Sequence, residues 1–546
     1  MHDFLKLPEK LYSGLQKLLN LLDGTSVFKA AVIFIFIPLI LMLLSLVPYV
    51  QDALIHAGEL IKGRELNADH WRHVITHGMR CVFVLAAVIF AFLSAVKYRN
   101  HEKIILAVSG IVSAAVSLVT VFYHEPWNDE ITAWWYAWKF DLDQLVFIMK
   151  NEGHFLPWYF ILLPFAKAGL PPVTASFISW IINCFIIYLF ITRAPFRMVP
   201  KIIVLFTSLF LFWNPVVSMP YVFISLILFL IARLYERRNE KPLAFALLIA
   251  ALANTHVYIE GLAGILSLYF LIEDIILPWK NYDHFQKKRH VQAFAIIVCG
   301  ALIAFLSVLP VLSGSSIYTG SLINVNKNGL YDFLTGSEIN WDLALLFSLC
   351  LGASCAWILI KDRKFFIILI TSYAWMGAFS CLIYPAWIAN RALLWFVTLI
   401  FVLWLYKGPA SKVTSLIIIV MSLFIIRPQN NINDVREDFS SLHAAAQYIR
   451  ENYPSGYDVY ELGYHPLHMD LYLPDYKIHG YDETRQLIDS GKIHEVSDAL
   501  LIRMDKPEYD EYTKDAFSPS DKDLGSFHGL VWHNVRLHEL NTETCR

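Results

Sequence analysis

Charge is what this sequence has least of. Only 16% of its 546 residues are charged, against 57% hydrophobic and 15% aromatic. Soluble domains carry about a quarter charged residues, so an ordinary soluble domain is excluded and a polytopic membrane protein is implied. The net charge of −2 is uninformative, because the charges are segregated along the chain. Cysteine is scarce and unpatterned: Cys81, Cys184, Cys299, Cys350, Cys355 and Cys381 lie in or beside apolar segments, and Cys545 sits alone. That spacing offers no disulfide framework and no zinc site, leaving the thiols as small apolar residues. Internal repeats and low-complexity tracts are missing too. The opening "MHDFLKLPEKLYSGLQKLLNLLDG" is amphipathic and lacks a small-residue cleavage site near the end of the apolar run that follows, so an uncleaved anchor is expected.

Apolar runs are plentiful. Segments near the length of about 20 residues that crosses a bilayer fall at 28–50, 80–97, 104–122, 173–192, 201–214, 216–235, 243–258, 260–277, 291–312, 342–360, 365–383, 388–406 and 412–426. The run 201–235 is interrupted by "WNPVVSMP". "GHFLPWYFILLPFAKAGLPP" is broken by Pro157, Pro164, Pro171 and Pro172, and reads as lying along the interface. About 13 transmembrane helices are therefore expected. One set of short loops is basic, for example Arg233, Arg237, Arg238 and Lys241, or Lys361, Arg363 and Lys364. The alternate loops are not: 313–341 holds only Lys327 and 214–220 holds no base. By the positive-inside rule the basic loops and N-terminus are cytoplasmic, and the poor loops face outside.

The tail changes character. "DFSSLHAAAQYIRENYPSG" reads as a capped amphipathic helix ending before Pro454, and "YDVYEL", "ALLIRM" and "LVWHNVRLHEL" read as strands. The expected organisation is an N-terminal segment with two additional helices (1–103), a membrane core (104–426) and a small extracytoplasmic α/β domain (427–546). The acidity of the tail argues against nucleic acid or anionic lipid as its partner.

Chemistry concentrates in "YHEPWNDEITAWWYAW", where Glu125, Trp127, Asp129 and Glu130 follow directly on an apolar segment. A solvated loop with interfacial tryptophans is the plain reading, since acids are mostly exposed. Against it, these acids stand where lipid-borne substrates present their head groups. The helix-like apolar spacing after them could roof a site. "NEGHFLPW" then returns Glu152 and His154 to the same side. "NTHVYIEG" adds His256 and Glu260 at another outer corner, for sugar, metal or a structural helix end. Arg391 in "YPAWIANRALLWF" is a costly charge near the outer end of an apolar helix, unless it has an anionic partner or snorkels. His124 and His154 are candidate metal ligands, though their spacing matches no specific site. A divalent metal is allowed and no cofactor is required.

These motifs resemble the first extracytoplasmic loop of GT-C glycosyltransferases, such as the dolichyl-phosphate-mannose protein mannosyltransferases and the bacterial aminoarabinose transferases of lipid A. The likeness is to bacterial members with an EPW-x-DE loop, a following EGH and a GLP stretch, here Glu125–Glu130, Glu152–Trp158 and Gly169–Pro171. It covers about 104–430, with the catalytic first loop at 123–172. The resemblance implies transfer of a sugar from a polyprenyl-phosphate donor to a hydroxyl of a glycan, lipid or protein acceptor. It implies a bacterial inner-membrane enzyme with Asp129 as general base, Glu130 beside it, and Arg391 on the lipid phosphate. One carboxylate is enough for such a donor, because its phosphate leaves without acid assistance. A glycosidase must expel an alkoxide and so needs two. A lipid-linked sugar flippase or transporter is the runner-up, disfavoured by the missing repeats and by ionisable residues gathered at helix ends. An O-antigen ligase or polymerase would want arginines in the late loop 313–341, which has none.

Overall fold

The computed structural model describes residues 99–152, 156–308, 326–335, 339, 341–383, 391, 393–406, 412–437, 439–463, 467–496, 498–514, 517, 521–528 and 534–540, with 52–53, 55–57, 59 and 91. Among the described residues from 99 on, sixteen α-helices come before the tail's own. They are α1 (Glu102–Tyr123), α2 (Asn128–Lys139), α3 (Leu142–Glu152), α4 (Leu156–Lys167), α5 (Thr174–Arg193), α6 (Met198–Leu205), α7 (Tyr221–Leu234) and α8 (Pro242–Ala253). After them come α9 (Glu260–Tyr269), α10 (His284–Val308), α11 (Gly329–Thr335), α12 (Trp341–Lys361), α13 (Arg363–Leu382), α14 (Leu394–Leu405), α15 (Lys412–Leu423) and α16 (Gln429–Arg436).

Among the described residues, five helices are long and apolar enough to cross a membrane: Glu102–Tyr123, Thr174–Arg193, His284–Ser307, Leu343–Lys361 and Arg363–Leu382. The protein is a mostly helical membrane protein. The α8, α14 and α15 helices are apolar but have only 12 residues each, about 18 Å at the usual rise, short of a hydrocarbon core. The expected span 28–50 lies outside the described residues, and of 80–97 only Ala91 is described. The expected span 201–214 is not one helix. It is α6, a break at Phe206–Ser208, and a π-helical turn at Leu209–Trp213.

A broken helix in an apolar bundle must find partners for its freed backbone groups. Here neighbours supply them. Ser113 of α1 donates to the Leu205 carbonyl at 2.8 Å, and Asn183 of α5 donates to that of Phe210 at 3.0 Å. The Ser208 N–H donates to the Ile425 carbonyl at 2.8 Å, and Asn431 of α16 donates to that of Leu211 at 2.8 Å. Elsewhere helices meet through small residues. Gly300 of α10 lies so close to α8 that a methyl group there would collide with the Ala250 side chain.

The proline-broken segment after α3 forms α4, which packs Trp158, Tyr159 and Leu162 against Ala133, Trp134 and Ala137 of α2. With 12 residues, α4 is also too short to span, at about 18 Å. The tail then folds as five strands: β1 (Asp458–Leu462), β2 (Lys477–His479), β3 (Ala499–Met504), β4 (Lys522–Phe527) and β5 (Val535–Leu540), in the order β2-β1-β3-β5-β4. The β1 strand is parallel to β2 and β3, while β5 is antiparallel to β3 and β4. Every residue of β3 is buried, as a central strand requires. Among the described residues the α-helices beside the sheet are α17 (Ser441–Asn452), capped by the Ser440 hydroxyl, α18 (Met469–Tyr472), α19 (Tyr481–Asp489) and α20 (Pro507–Tyr512). Residues 429–437 and Phe439 side with the membrane helices, since Ile432 and Phe439 belong to their core.

Candidate functional site

The α1 helix ends where the His124 N–H caps the Thr120 carbonyl, and the chain turns through Glu125–Trp127 into α2. Asp129 and Glu130 occupy the first turn of α2, where the helix dipole favours negative charge. Adjacent on a helix, they point about 100° apart and meet different surroundings.

Glu130 is buried and saturated. Its Oε2 accepts from the Trp127 N–H at 3.1 Å and faces His124 Nε2 at 3.0 Å. Its Oε1 accepts from the Ser218 hydroxyl at 2.5 Å and from the Ser218 N–H. A carboxylate has about four lone-pair positions, and here four donors fill them. Expected to share in the chemistry beside Asp129, Glu130 has no acceptor capacity left for a substrate proton. Its geometry is that of a fastener.

His124 is the other half of that fastener. Its Nδ1 lies 3.0 Å from Asp434 Oδ2, on α16, and both side chains are fully buried. Burial works against a charged imidazole, but Asp434 and Glu130 outweigh it and push His124 up to about 10. Burial likewise raises the Asp434 carboxyl, with His124 opposing it. His124 is thus an imidazolium donating from both nitrogens, which corrects its reading as a metal ligand: neither nitrogen offers a lone pair. Among the described residues no group of three His, Cys, Asp or Glu side chains could hold a metal ion.

Asp129 is different. It is 29% exposed, and its Oδ2 lies 3.9 Å from Nη2 of Arg391, itself only 4% exposed. Arg391 Nε donates to the Tyr221 hydroxyl at 2.9 Å, and Tyr221 meets His256 Nε2 at 3.0 Å. The Tyr258 N–H donates to His256 Nδ1 at 3.2 Å, which assigns the proton of a neutral ring to Nε2. Tyr221 therefore accepts from both the guanidinium and the imidazole, and His256 acts on Arg391 through Tyr221. The pair of Asp129 with Arg391 stands near the outer limit of ion-pair distance. It sets a carboxylate, a bidentate cation and a phenol side by side.

The other expected residues lie around this centre. Glu125 is half-buried against His443 of α17, 3.3 Å away. Trp127 is buried at the turn into α2. Glu260 is half-buried at the start of α9. The side chain of Glu152 and all of His154 lie outside the described residues. Sequence reasoning missed Ser218, Tyr221 and Asp434. The acid Asp434 is 310 positions from His124, and Ser218 is 88 from Glu130, so no local spacing could have found them.

No family model matches the chain, and no curated protein is detectably similar to it.

Proposed function

We propose that the protein is a membrane glycosyltransferase of GT-C type that moves a sugar from a polyprenyl-phosphate donor to an acceptor hydroxyl, with inversion at the anomeric carbon. The observation that carries this reading is the pairing of half-exposed Asp129 with buried Arg391 at 3.9 Å, while the neighbouring acid Glu130 is occupied elsewhere. In the proposed step the acceptor oxygen attacks the anomeric carbon and its proton passes to Asp129. The bond from that carbon to the phosphate oxygen breaks, and polyprenyl phosphate departs with the electron pair, its charge held by Arg391. A single displacement of this kind inverts the centre, and the stable leaving group makes a second carboxylate unnecessary. The base asymmetry of the loops supports a site outside the cytoplasm, and the resemblance carried by Glu125–Glu130 is what suggests a bacterial inner membrane. Cysteines introduced at 313–341 should then react with an impermeant reagent in intact cells and those at 281–289 should not.

One observation favours a transporter instead: the break between α6 and the turn at Leu209–Trp213, since interrupted helices line many transport sites. The freed carbonyls there are met by Ser113, Asn183 and Asn431, which leaves that break a structural account.

The test is direct. Full-length protein in nanodiscs is incubated with a panel of radiolabelled polyprenyl-phosphate sugars and candidate acceptors. Asp129→Asn should cost about two to four powers of ten in turnover with donor affinity kept. Arg391→Ala should weaken donor binding by roughly 10- to 150-fold, with partial rescue by lysine. Near-normal turnover of Asp129→Asn would sink the assignment.

A further inference from the structure

The tail domain grips α2 with side chains that the proposed reaction does not use. His468 Nε2 lies 3.1 Å from the Thr132 hydroxyl, and its ring tilts over that of Trp135 at 4.6 Å between centroids. The Trp135 indole N–H is shared between both oxygens of Asp470, at 2.9 and 2.8 Å. The Tyr472 hydroxyl donates to the Pro126 carbonyl at 3.4 Å, and Ile131 of α2 is part of the domain's own core. Thr132 is three residues beyond Asp129, so the two share a helix face one turn apart.

The turn that carries His468 is itself held. His468 has φ +57° and ψ +38°, in the left-handed region that non-glycine residues rarely occupy. Buried Glu461, at the end of β1, fixes it by accepting from the Met469 N–H at 2.6 Å and the Leu467 N–H at 3.1 Å. Such a conformation persists only where the surroundings over-determine it.

We propose that His468 and Asp470 are positioning residues for Asp129: the tail domain fixes the rotation of α2, and with it where the Asp129 carboxylate stands relative to Arg391. This rests on the glycosyltransferase reading for its catalytic consequence but not for the bracing itself. The α2 helix has only 12 residues; Glu130 fastens its first turn, and the tail-domain contacts to Thr132 and Trp135 hold the turn that follows. Residues far from a reaction matter through such placement, since a shift of about 1 Å at a reacting group can cost on the order of 100-fold in rate.

Two substitutions isolate the contact in the full-length protein in nanodiscs. His468→Gly removes the imidazole while glycine keeps the left-handed turn at no steric cost. Thr132→Val removes only the hydroxyl. Amide hydrogen exchange across 128–139 should accelerate by about tenfold in either variant. The kcat for the best polyprenyl-phosphate sugar should fall about 10- to 100-fold with the donor KM unmoved, because Arg391 is untouched. The double variant should be no worse than the worse single one, since both remove one interaction. His468→Asn, which tolerates the same backbone conformation and keeps a polar tip, should restore part of the rate. Unchanged exchange in α2, additive losses, or an equal loss in kcat and donor affinity would overturn the proposal. If wild type transfers no sugar at all, the glycosyltransferase reading fails and the exchange measurement alone decides the bracing.

Discussion

Two buried histidines, one at the seam beside the membrane helices and one in the tail sheet, carry opposite charge states. His124 stands between Glu130 and Asp434 and is pushed up to about 10, its unfavourable burial outweighed by two carboxylates. His538 on β5 is buried as well. There, burial and the Arg503 guanidinium both act against a charged ring and push it down to about 4. Its Nε2 accepts from Arg503 Nε at 3.1 Å, and Phe517 covers its face at 4.2 Å. Burial is common to both, so burial does not decide the charge. The sign of the neighbours does. The seam joins the consecutive helices α1 and α2 to the distant α16 through an ion, whereas the sheet corner uses its histidine as a neutral acceptor.

The sharpest way to break this contrast is His124→Gln. A neutral amide leaves Glu130 and Asp434 as buried acids without a cation, and removing one partner of a buried ionic group costs about 3–5 kcal/mol. Thermal unfolding in detergent should show a large fall in midpoint or a loss of folded protein. A near-normal midpoint would mean that the seam is not ionic. Glu130→Gln should come next. It keeps the shape but loses the charge and cannot accept from all four donors, a cost of about 1–3 kcal/mol for the stranded groups. Asp129→Asn, one residue away, should leave stability within about 0.5 kcal/mol, as a half-exposed site allows. Equal destabilisation by the two would erase the distinction drawn between the adjacent acids.

Acidity sharpens the contrast further. The folded-state value of His124 lies above its ordinary 6.5, so its contribution is complete below about pH 6.5 and is lost as pH rises toward about 10. The folded-state value of His538 lies below 6.5, so its contribution is complete above about pH 6.5 and is lost as pH falls toward about 4. Unfolding midpoints measured across pH should therefore sag on the alkaline side for the seam and on the acid side for the sheet. His124→Gln should flatten only the alkaline limb. Flattening of the acid limb instead would reverse the assignment.

How much of this was legible in the sequence follows the range of each interaction. The tail helix was readable because its start at Ser440 and its end before Pro454 are local signals, and it runs Ser441–Asn452. Strands β1, β3 and β5 were visible as apolar runs. The three-residue β2 was too short to show, and β4 is an edge strand with a bulge between Asp523 and Gly525 that hides any alternation. Hydropathy also overran the helices. The expected span 243–258 runs on past Ala253, where the polar Asn254 and Thr255 end α8. At the site, Asp129 is legible from its motif, and it stands beside Arg391. The role of Glu130 was hidden because its partners include Ser218, in a loop between helices whose fold had to be known first. The His124 seam needed Asp434, which sits in the part of the sequence read as the start of a separate domain.

A small effect at the sheet corner is the most telling. The same substitution, His538→Gln, asks whether the sheet corner needs an imidazole or only an acceptor. Arg503 keeps its contact with Asp510 at 2.5 Å whatever stands at 538, so its charge stays compensated. Only its Nε–H loses a partner, and the glutamine carbonyl can replace it. A neutral hydrogen bond is worth about 0.5–1.5 kcal/mol net, and most of that should be recovered, leaving a loss below about 1 kcal/mol together with a flatter acid limb. His538→Ala offers no acceptor and strands a buried guanidinium N–H, so it should cost about 1–3 kcal/mol. Equal losses for Gln and Ala would point to the ring packed under Phe517, not its acceptor nitrogen, as what holds the corner. A loss from Gln as large as the one at the seam would mean that His538 carries charge too, and the difference between the two histidines would collapse.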